Sequence, residues 1–125
     1  MPKVVIRIDL SSSNAVGPGK IRLLELVDES GSISAAARAM DMSYRRAWLL
    51  IDELNAIFKE RAVVAEHGGR AGGGAKLTAF GRDLVRRYRE MERDTHAALA
   101  KHLAALEAAS QHHRASGGAR RKAAR

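Results

Sequence analysis

Two helices separated by a very short turn restrict the fold of this chain more than any other feature of its sequence. Residues 32–40 (SISAAARAM) have the composition of a short helix, with Ser32 at its amino end and alanines that allow another helix to approach closely. Asp41 lies in the turn, and Ser43 can cap a further helix that extends to about Lys59. Helices joined so tightly must cross at a steep angle, which predicts a helix-turn-helix.

The flanking segments predict the rest of the fold. Residues 3–10 are rich in Val and Ile and predict a strand, residues 11–19 have the composition of a loop, and residues 20–30 have the apolar spacing of a helix. Residues 62–67 and 75–78 predict two strands of a hairpin, joined by a loop with five glycines. This order of elements is that of a mainly α winged helix-turn-helix with a small β wing.

The last third of the chain predicts one long helix and a basic tail. Residues 78–113 contain no proline, and their apolar side chains recur at steps of three and four. Residues 114–125 hold five of the eight net positive charges and no acid, which predicts a disordered tail. We therefore divide the chain into a winged helix-turn-helix domain at 1–79, a long helix at 80–113 and the tail at 114–125.

The charge of the chain favours nucleic acid as its partner. Its 125 residues include 22 Lys and Arg against 14 Asp and Glu, and this net charge of +8 attracts phosphate-bearing molecules. The absence of cysteine excludes disulfides and thiolate-bound zinc. The sequence has neither a signal-peptide pattern nor an apolar run of the roughly 20 residues needed to span a membrane, so a soluble, cytoplasmic protein is expected.

The amino end of the helix that follows the turn carries the predicted recognition residues. At about 100° per residue, Arg45 and Arg46 lie opposite the apolar face of this helix. Cations in a first turn oppose the helix macrodipole by roughly 0.3–1 kcal/mol each, a cost expected where function requires it. We predict that both arginines contact double-stranded DNA, one at guanine and one at phosphate, and that Ser43 and Tyr44 contact phosphate or bases. The alternatives are a solvated face for the arginines, a cap for Ser43 and a half-buried ring for Tyr44.

The glycine-rich loop between the two predicted strands is the predicted wing. It contains neither of the phosphate-binding patterns GxxxxGK[ST] and GxGxxG between a strand and a helix, so it is not a nucleotide-binding loop. We predict that Gly69, Arg70, Gly72 and Lys76 approach a phosphate or the minor groove. The alternative is a flexible hairpin without a binding role.

No pattern in the sequence predicts a catalytic or metal site. His96 and His102 are six residues apart, about 240° around a helix axis, and His112 and His113 are neighbours that point in different directions. The acidic residues on the exposed side of the recognition helix have no His or Ser partner at a useful spacing. We expect no enzyme activity, no metal and no cofactor.

The long C-terminal helix carries more apolar surface than one small domain covers. Its apolar side chains extend along about 50 Å at 1.5 Å per residue, and the same helix of a second copy would cover them. The resulting homodimer would place two recognition helices about one turn of DNA apart, which makes this a dimerisation helix. The predicted interface consists of Leu84, Tyr88, Met91, Leu99, Leu103 and Leu106.

Two stretches, SGSISAAARAMDMSYRRAW and GGRAGGGAKLTAFG, resemble the N-terminal DNA-binding domain of the ModE family of molybdate-dependent transcriptional regulators, which is similar to the LysR-type helix-turn-helix. The resemblance covers about residues 3–107. It implies a recognition role for residues 43–46, a wing at 68–74 and a dimer contact in the helix after Phe80. Members that sense molybdate carry binding modules after that helix, and here a basic tail follows instead. We therefore expect a stand-alone form without its own molybdate site, constitutive or dependent on a separate molybdate-sensing protein.

The sequence as a whole predicts a sequence-specific bacterial transcriptional regulator that binds DNA as a homodimer at the nucleoid and is linked to molybdenum or oxyanion metabolism. Two alternatives stay open. A non-specific architectural DNA-binding protein is favoured by the basic tail and by a pI of about 10.6. An interaction adaptor that recruits a separate sensor subunit is favoured by the long apolar helix.

Overall fold

The computed structural model describes residues 2–66 and 74–111, which form a mainly α winged helix-turn-helix with a small β wing, as predicted. The helices within these residues are α1 (Pro18–Ser30), α2 (Ile33–Ala39), α3 (Tyr44–Ile57), α4 (Ala79–Ala98) and α5 (Ala100–Ala109). The strands are β1 (Ile8–Ser11), β2 (Asn14–Val16), β3 (Val63–Glu66) and β4 (Gly74–Leu77). β1 pairs with β2 and β3 pairs with β4, and each pair forms a separate two-stranded antiparallel sheet.

The helix-turn-helix is defined by two serine caps and a left-handed turn residue. Ser32 Oγ accepts a hydrogen bond from the Ala35 amide at 3.0 Å, and this bond begins α2. Asp41 has a φ of 56°, the left-handed conformation that a short polar side chain tolerates. Two residues later Ser43 caps α3, so the turn between the helices is as short as the sequence predicts.

The amino-terminal segment differs from the predicted single strand over residues 3–10. Only Ile8–Ser11 is a strand, and it pairs with Asn14–Val16, inside the predicted loop. The polar residues between them form a turn in which Asn14 Nδ2 donates to Ser11 Oγ at 2.7 Å. Before Ile8 the backbone has a different partner, because the Ile6 carbonyl accepts a hydrogen bond from the Tyr88 hydroxyl at 2.6 Å. At Ile6 the backbone therefore bonds to a side chain of α4 and not to a neighbouring strand.

The described residues form two compact units, one of residues 5–90 and one of residues 2–4 together with 91–111. The core of the first unit lies among α1, α2, α3 and the hairpin β3–β4, with Ala36, Ala37 and Ala47 buried in it. Small side chains at these positions let the helices approach closely. The largest buried side chains of this core are Val16, Ile21, Leu23, Leu24, Val27, Ile33, Ile51, Leu54, Val63 and Tyr88.

The wing strands are attached to the turn that ends α1. Val63 pairs with Leu77 and Glu66 with Gly74 in the hairpin. Gly31 has a φ of 70° and closes α1, and its carbonyl accepts a hydrogen bond from the Ala75 amide at 3.1 Å. The hairpin is therefore held at its β4 edge by backbone contacts as well as by its buried side chains.

The start of α4 depends on Thr78 and Gly81. Thr78 Oγ1 donates to the Arg61 carbonyl at 2.7 Å and accepts from the Gly81 amide at 3.0 Å. A Cβ on Gly81 would collide with the Ala62 carbonyl oxygen and would lie 3.0 Å from the carbonyl carbon. Glycine thus allows the first turn of α4 to touch the backbone that enters β3.

The predicted single helix over residues 78–113 is interrupted. α4 ends at Ala98 and α5 begins at Ala100, because Leu99 has φ −102° and ψ 8°, outside ordinary helical values. The hydrogen bonds from the Leu99 amide to the Thr95 carbonyl and from the Leu103 amide to the Leu99 carbonyl are both kept at 2.9 Å. The break is therefore a local change of backbone angles, with neither Gly nor Pro at the position.

An ion pair joins α1 to α4 within the first unit. Arg89 donates from Nε to one carboxylate oxygen of Glu25 at 2.8 Å and from Nη2 to the other at 2.7 Å. These bonds are the main cause that lowers the pKa of Glu25 below its ordinary value of 4.5; Arg22 adds to the effect, and partial burial opposes it. The ionised form of Glu25 is therefore favoured by folding.

We expect Glu25→Gln to lower the free energy of unfolding near pH 7 by up to about 1 kcal/mol. Because the folded-state pKa is lowered, the stabilisation is fully present above the unfolded-state pKa and disappears as the pH falls through the folded-state value. Urea unfolding at a series of pH values from about 7 to about 3 measures this convergence of variant and parent. Glu60→Gln, at an exposed carboxylate with no ion pair among the described residues, is the control. A deficit that stays constant over the whole pH range would contradict the ion-pair account.

Among the described residues, no helix is both long and apolar enough to cross a membrane. The same residues contain no cluster of three or more His, Asp or Glu side chains able to hold a metal ion.

Candidate nucleic-acid interface

The amino end of α3 is capped, exposed and cationic. Ser43 Oγ accepts a hydrogen bond from the Arg46 amide at 3.0 Å, so Ser43 is the N-cap. Arg45 and Arg46 are exposed, and neither makes an ion pair or a side-chain hydrogen bond with any described residue. The opposite face of α3 is buried in the core through Ala47, Ile51 and Leu54.

The charges at this helix end favour an anionic ligand. The first turn of α3 contains no acidic residue, and the helix dipole adds partial positive charge to that of the two guanidinium groups. An open depression of about 470 Å³ lies beside them, lined by Ser43, Arg45, Arg46, Trp48, Leu49 and Asp52. Guanidinium groups held beside an open depression can donate hydrogen bonds to phosphate oxygens or to the edge of a guanine base.

Tyr44 lies at the edge of this surface. Its ring is 51% exposed and makes an edge-on contact with Trp48, with 6.5 Å between ring centroids and an angle of 80° between the planes. Trp48 is half-buried and packs against the core. Tyr44 is thus supported on one side by an anchored indole while its hydroxyl makes no hydrogen bond with any described residue.

The wing contributes one described residue to the predicted contacts. Lys76 lies on β4 opposite Val64, is exposed, and has its Nζ 3.5 Å from a carboxylate oxygen of Glu66. The charge of Lys76 is therefore partly neutralised on the wing itself. Gly69, Arg70 and Gly72 lie outside the described residues.

Asn55, which the sequence analysis did not single out, joins α3 to the wing. Its Oδ1 accepts hydrogen bonds from the amides of Ala62 at 2.7 Å and Val63 at 3.2 Å, and its Nδ2 donates to the Val63 carbonyl at 3.2 Å. A single side chain thus sets the start of β3 relative to α3. The available signal was its angular position, because an amide at the margin of the apolar face of α3 requires hydrogen-bond partners.

The predicted dimer residues fall into two groups. Tyr88 is fully buried in the core of the first unit and Leu84 packs against that core, so the prediction that Tyr88 faces a second subunit is corrected. Tyr88 satisfies its hydroxyl through the Ile6 carbonyl, which the helical spacing alone did not reveal. The other four belong to the second unit: Met91 and Leu106 are exposed, with Leu106 at 66%, and Leu99 and Leu103 are half-buried.

Comparison with known proteins places this architecture in a family. Residues 19–82, which begin in the first turn of α1 and include the helix-turn-helix and the wing, match the family of bacterial regulatory helix-turn-helix proteins of the lysR type. The matched segment is about half of the chain and includes the exposed amino end of α3 and both wing strands.

Individual relatives are similar to the first three quarters of the chain. The molybdenum transport protein ModE of Azotobacter vinelandii is 41% identical over 92 residues, 74% of this chain and 34% of that protein. The molybdenum-pterin-binding protein MopA of Rhodobacter capsulatus is 40% identical over 92 residues, 74% of this chain and 33% of its own length. The DNA-binding transcriptional dual regulator ModE of Escherichia coli K12 is 35% identical over 86 residues, 69% of this chain and 33% of its length.

The chain spans about one third of the length of these relatives. The family match covers the region that holds the helix-turn-helix and the wing. The fold and the family match both identify a helix-turn-helix, and the exposed amino end of α3 lies within the matched segment. The chain belongs to the lysR family of bacterial regulatory helix-turn-helix proteins.

Proposed function

We propose that this protein binds specific sites in double-stranded DNA as a homodimer, with the amino end of α3 in the major groove. The observation that supports this most strongly is the exposure of Arg45 and Arg46, which make no ion pair with the described residues, in the first turn of a capped, core-packed helix. A rigid helix that presents free guanidinium groups at its end suits base contacts in the major groove. In this proposal Ser43 fixes the helix end, Tyr44 contacts the DNA backbone, and the wing residues Gly69, Arg70, Gly72 and Lys76 contact phosphates.

The proposed homodimer uses the second unit. Met91, Leu99, Leu103 and Leu106 recur at steps of eight, four and three residues from α4 to α5, and Met91 and Leu106 are exposed. A second copy would cover these side chains. It would also pair two recognition helices, which is the arrangement that reads palindromic sites.

The proposal includes a link to molybdenum or oxyanion metabolism, which is suggested by the names of the relatives. We propose that residues 1–125 hold no molybdate site of their own and that a separate protein senses molybdate. The proposed location is the bacterial cytoplasm, at the nucleoid.

Selection of duplexes from random sequence by the purified protein tests the proposal. We expect an enriched palindrome whose half-site centres are about one or two helical turns apart, bound by two chains in sedimentation analysis, with the same site and affinity when molybdate is added. Non-specific DNA binding typically is 10³–10⁷-fold weaker than specific binding, so the two are easily distinguished. Enrichment of no sequence would favour an architectural protein, and absence of duplex binding at low salt would favour an adaptor.

A further inference from the structure

Leu49 is a large apolar residue that the fold does not use. It lies on α3, 50% exposed, and it is absent from both the buried core and the half-buried side chains packed against it. Two other leucines of α3 differ, since Leu50 packs against the core and Leu54 is buried. Exposure of Leu49 therefore reflects its position on the helix and not a lack of core to receive it.

The position of Leu49 is the centre of the cationic surface. At about 100° per residue, Leu49 projects roughly 40° from Arg45 and roughly 60° from Arg46, between the two and one turn further along the helix. It lines the same open depression as both arginines. A leucine here faces whatever the two guanidinium groups bind.

The chemistry of the major groove offers one apolar group at this depth. Among the base edges displayed there, only thymine carries a methyl group, at C5, and apolar side chains contact it directly. Contact of Leu49 with a phosphate or with the polar edge of another base would be unfavourable, because an aliphatic side chain cannot replace the hydrogen bonds that those groups make with water.

Asp52 limits how far the cationic surface extends along α3. Its carboxylate is exposed one turn beyond Leu49 in the same depression and makes no ion pair with any described residue. A carboxylate is repelled by phosphates. Phosphate contacts are therefore disfavoured at Asp52, whereas Leu49, the exposed aliphatic side chain of the depression, lies closer to the amino end of α3.

We propose that Leu49 is a specificity-determining residue that packs against the C5-methyl group of a thymine in each half-site, next to the base or phosphate contacts of Arg45 and Arg46. This inference rests on the proposed function. It assigns the choice of one base to an aliphatic side chain, in addition to the base or phosphate contacts of the neighbouring arginines.

The test replaces each thymine of the selected duplex in turn with deoxyuridine, which removes only the methyl group. We expect the parent protein to lose about fourfold in affinity per half-site at one thymine position, the effect of one buried methyl group. Leu49→Ala is expected to lose a similar factor on the thymine duplex and to show no further loss with deoxyuridine at that position. The methyl group and the leucine would then act on the same contact.

Leu10→Ala is the matched control, because Leu10 is 52% exposed, lies on β1 and does not line the depression beside Arg45 and Arg46. It should respond to deoxyuridine as the parent does. The inference is overturned if every deoxyuridine substitution has the same effect on Leu49→Ala as on the parent, or if the selected half-site contains no thymine whose methyl group matters. The proposed function survives both results, because a selected duplex can be bound through the arginine contacts without a contact from Leu49.

Discussion

Replacement of Arg45 and Arg46 together by alanine is expected to lower the affinity for the selected duplex by about a hundredfold or more. Each arginine that contacts a base is worth about 1–3 kcal/mol, and every 1.4 kcal/mol is a factor of ten. Competition binding against mutated sites should also show relaxed specificity at the contacted position. If one arginine contacts phosphate, the salt dependence of binding should fall by about one unit of slope.

The fold should tolerate this double substitution. Both side chains are exposed and make no ion pair with any described residue, and cations in the first turn of a helix are unfavourable by roughly 0.3–1 kcal/mol each. The free energy of unfolding is therefore expected to stay the same or to rise slightly. Thermal unfolding of the variant separates lost binding from lost structure.

Arg86 and Arg87 provide a matched control for the change in charge. They are also adjacent, exposed and helical, but both donate hydrogen bonds to Asp83, at 2.6 Å and 2.9 Å. Alanine at these two positions removes the same number of charges from α4 while leaving α3 intact. If the two double variants lose equal affinity, net charge alone drives binding and the recognition role of α3 is wrong.

Gly81→Ala is expected to destabilise the protein by about 3 kcal/mol. The new Cβ would collide with the Ala62 carbonyl oxygen. That carbonyl belongs to the backbone that enters β3, and it accepts a hydrogen bond from the Thr78 amide at 2.9 Å. Forcing extra volume into such a contact typically costs about 1–3 kcal/mol, and here the group that must move is backbone. For a domain of this size the melting temperature should fall by roughly 10–20 °C, measured by circular dichroism.

Gly19 supplies the opposite result for the same chemical change. It lies in the first turn of α1, and a Cβ added there meets no atom within 4 Å. Gly19→Ala is expected to stabilise the protein by about 0.5–1 kcal/mol, because alanine loses less backbone entropy in a helix. If Gly81→Ala is also neutral or stabilising, the close approach of α4 to β3 does not limit the fold.

Local signals in the sequence were sufficient for the helix-turn-helix. Ser32 and Ser43 cap the helices in which they were identified, and Asp41 adopts the left-handed turn that a short polar residue allows. The angular arrangement along α3 also placed Arg45 and Arg46 on the exposed side, because an amphipathic helix has only one face that can be buried. These features depend on residues within a few positions of one another.

Contacts between distant segments account for the differences. The helical spacing assigned Tyr88 to a partner subunit, but a segment 82 residues earlier brings the Ile6 carbonyl to its hydroxyl. The same contact shortens the predicted first strand. Asn55 likewise has its partners seven and eight residues further along the chain, across the junction between α3 and β3.

The sequence by itself determined the succession of α1, the helix-turn-helix and the wing strands, and the exposed arginines of α3, because caps, turn residues and apolar periodicity act locally. Only the tertiary structure decided that Tyr88 is buried, that Asn55 fixes the wing strand and that Gly81 must lack a side chain. The physical reason is that the partners of these residues are backbone groups of other segments. Periodicity and composition describe which face of an element is apolar, but they do not say which carbonyl or amide lies against it.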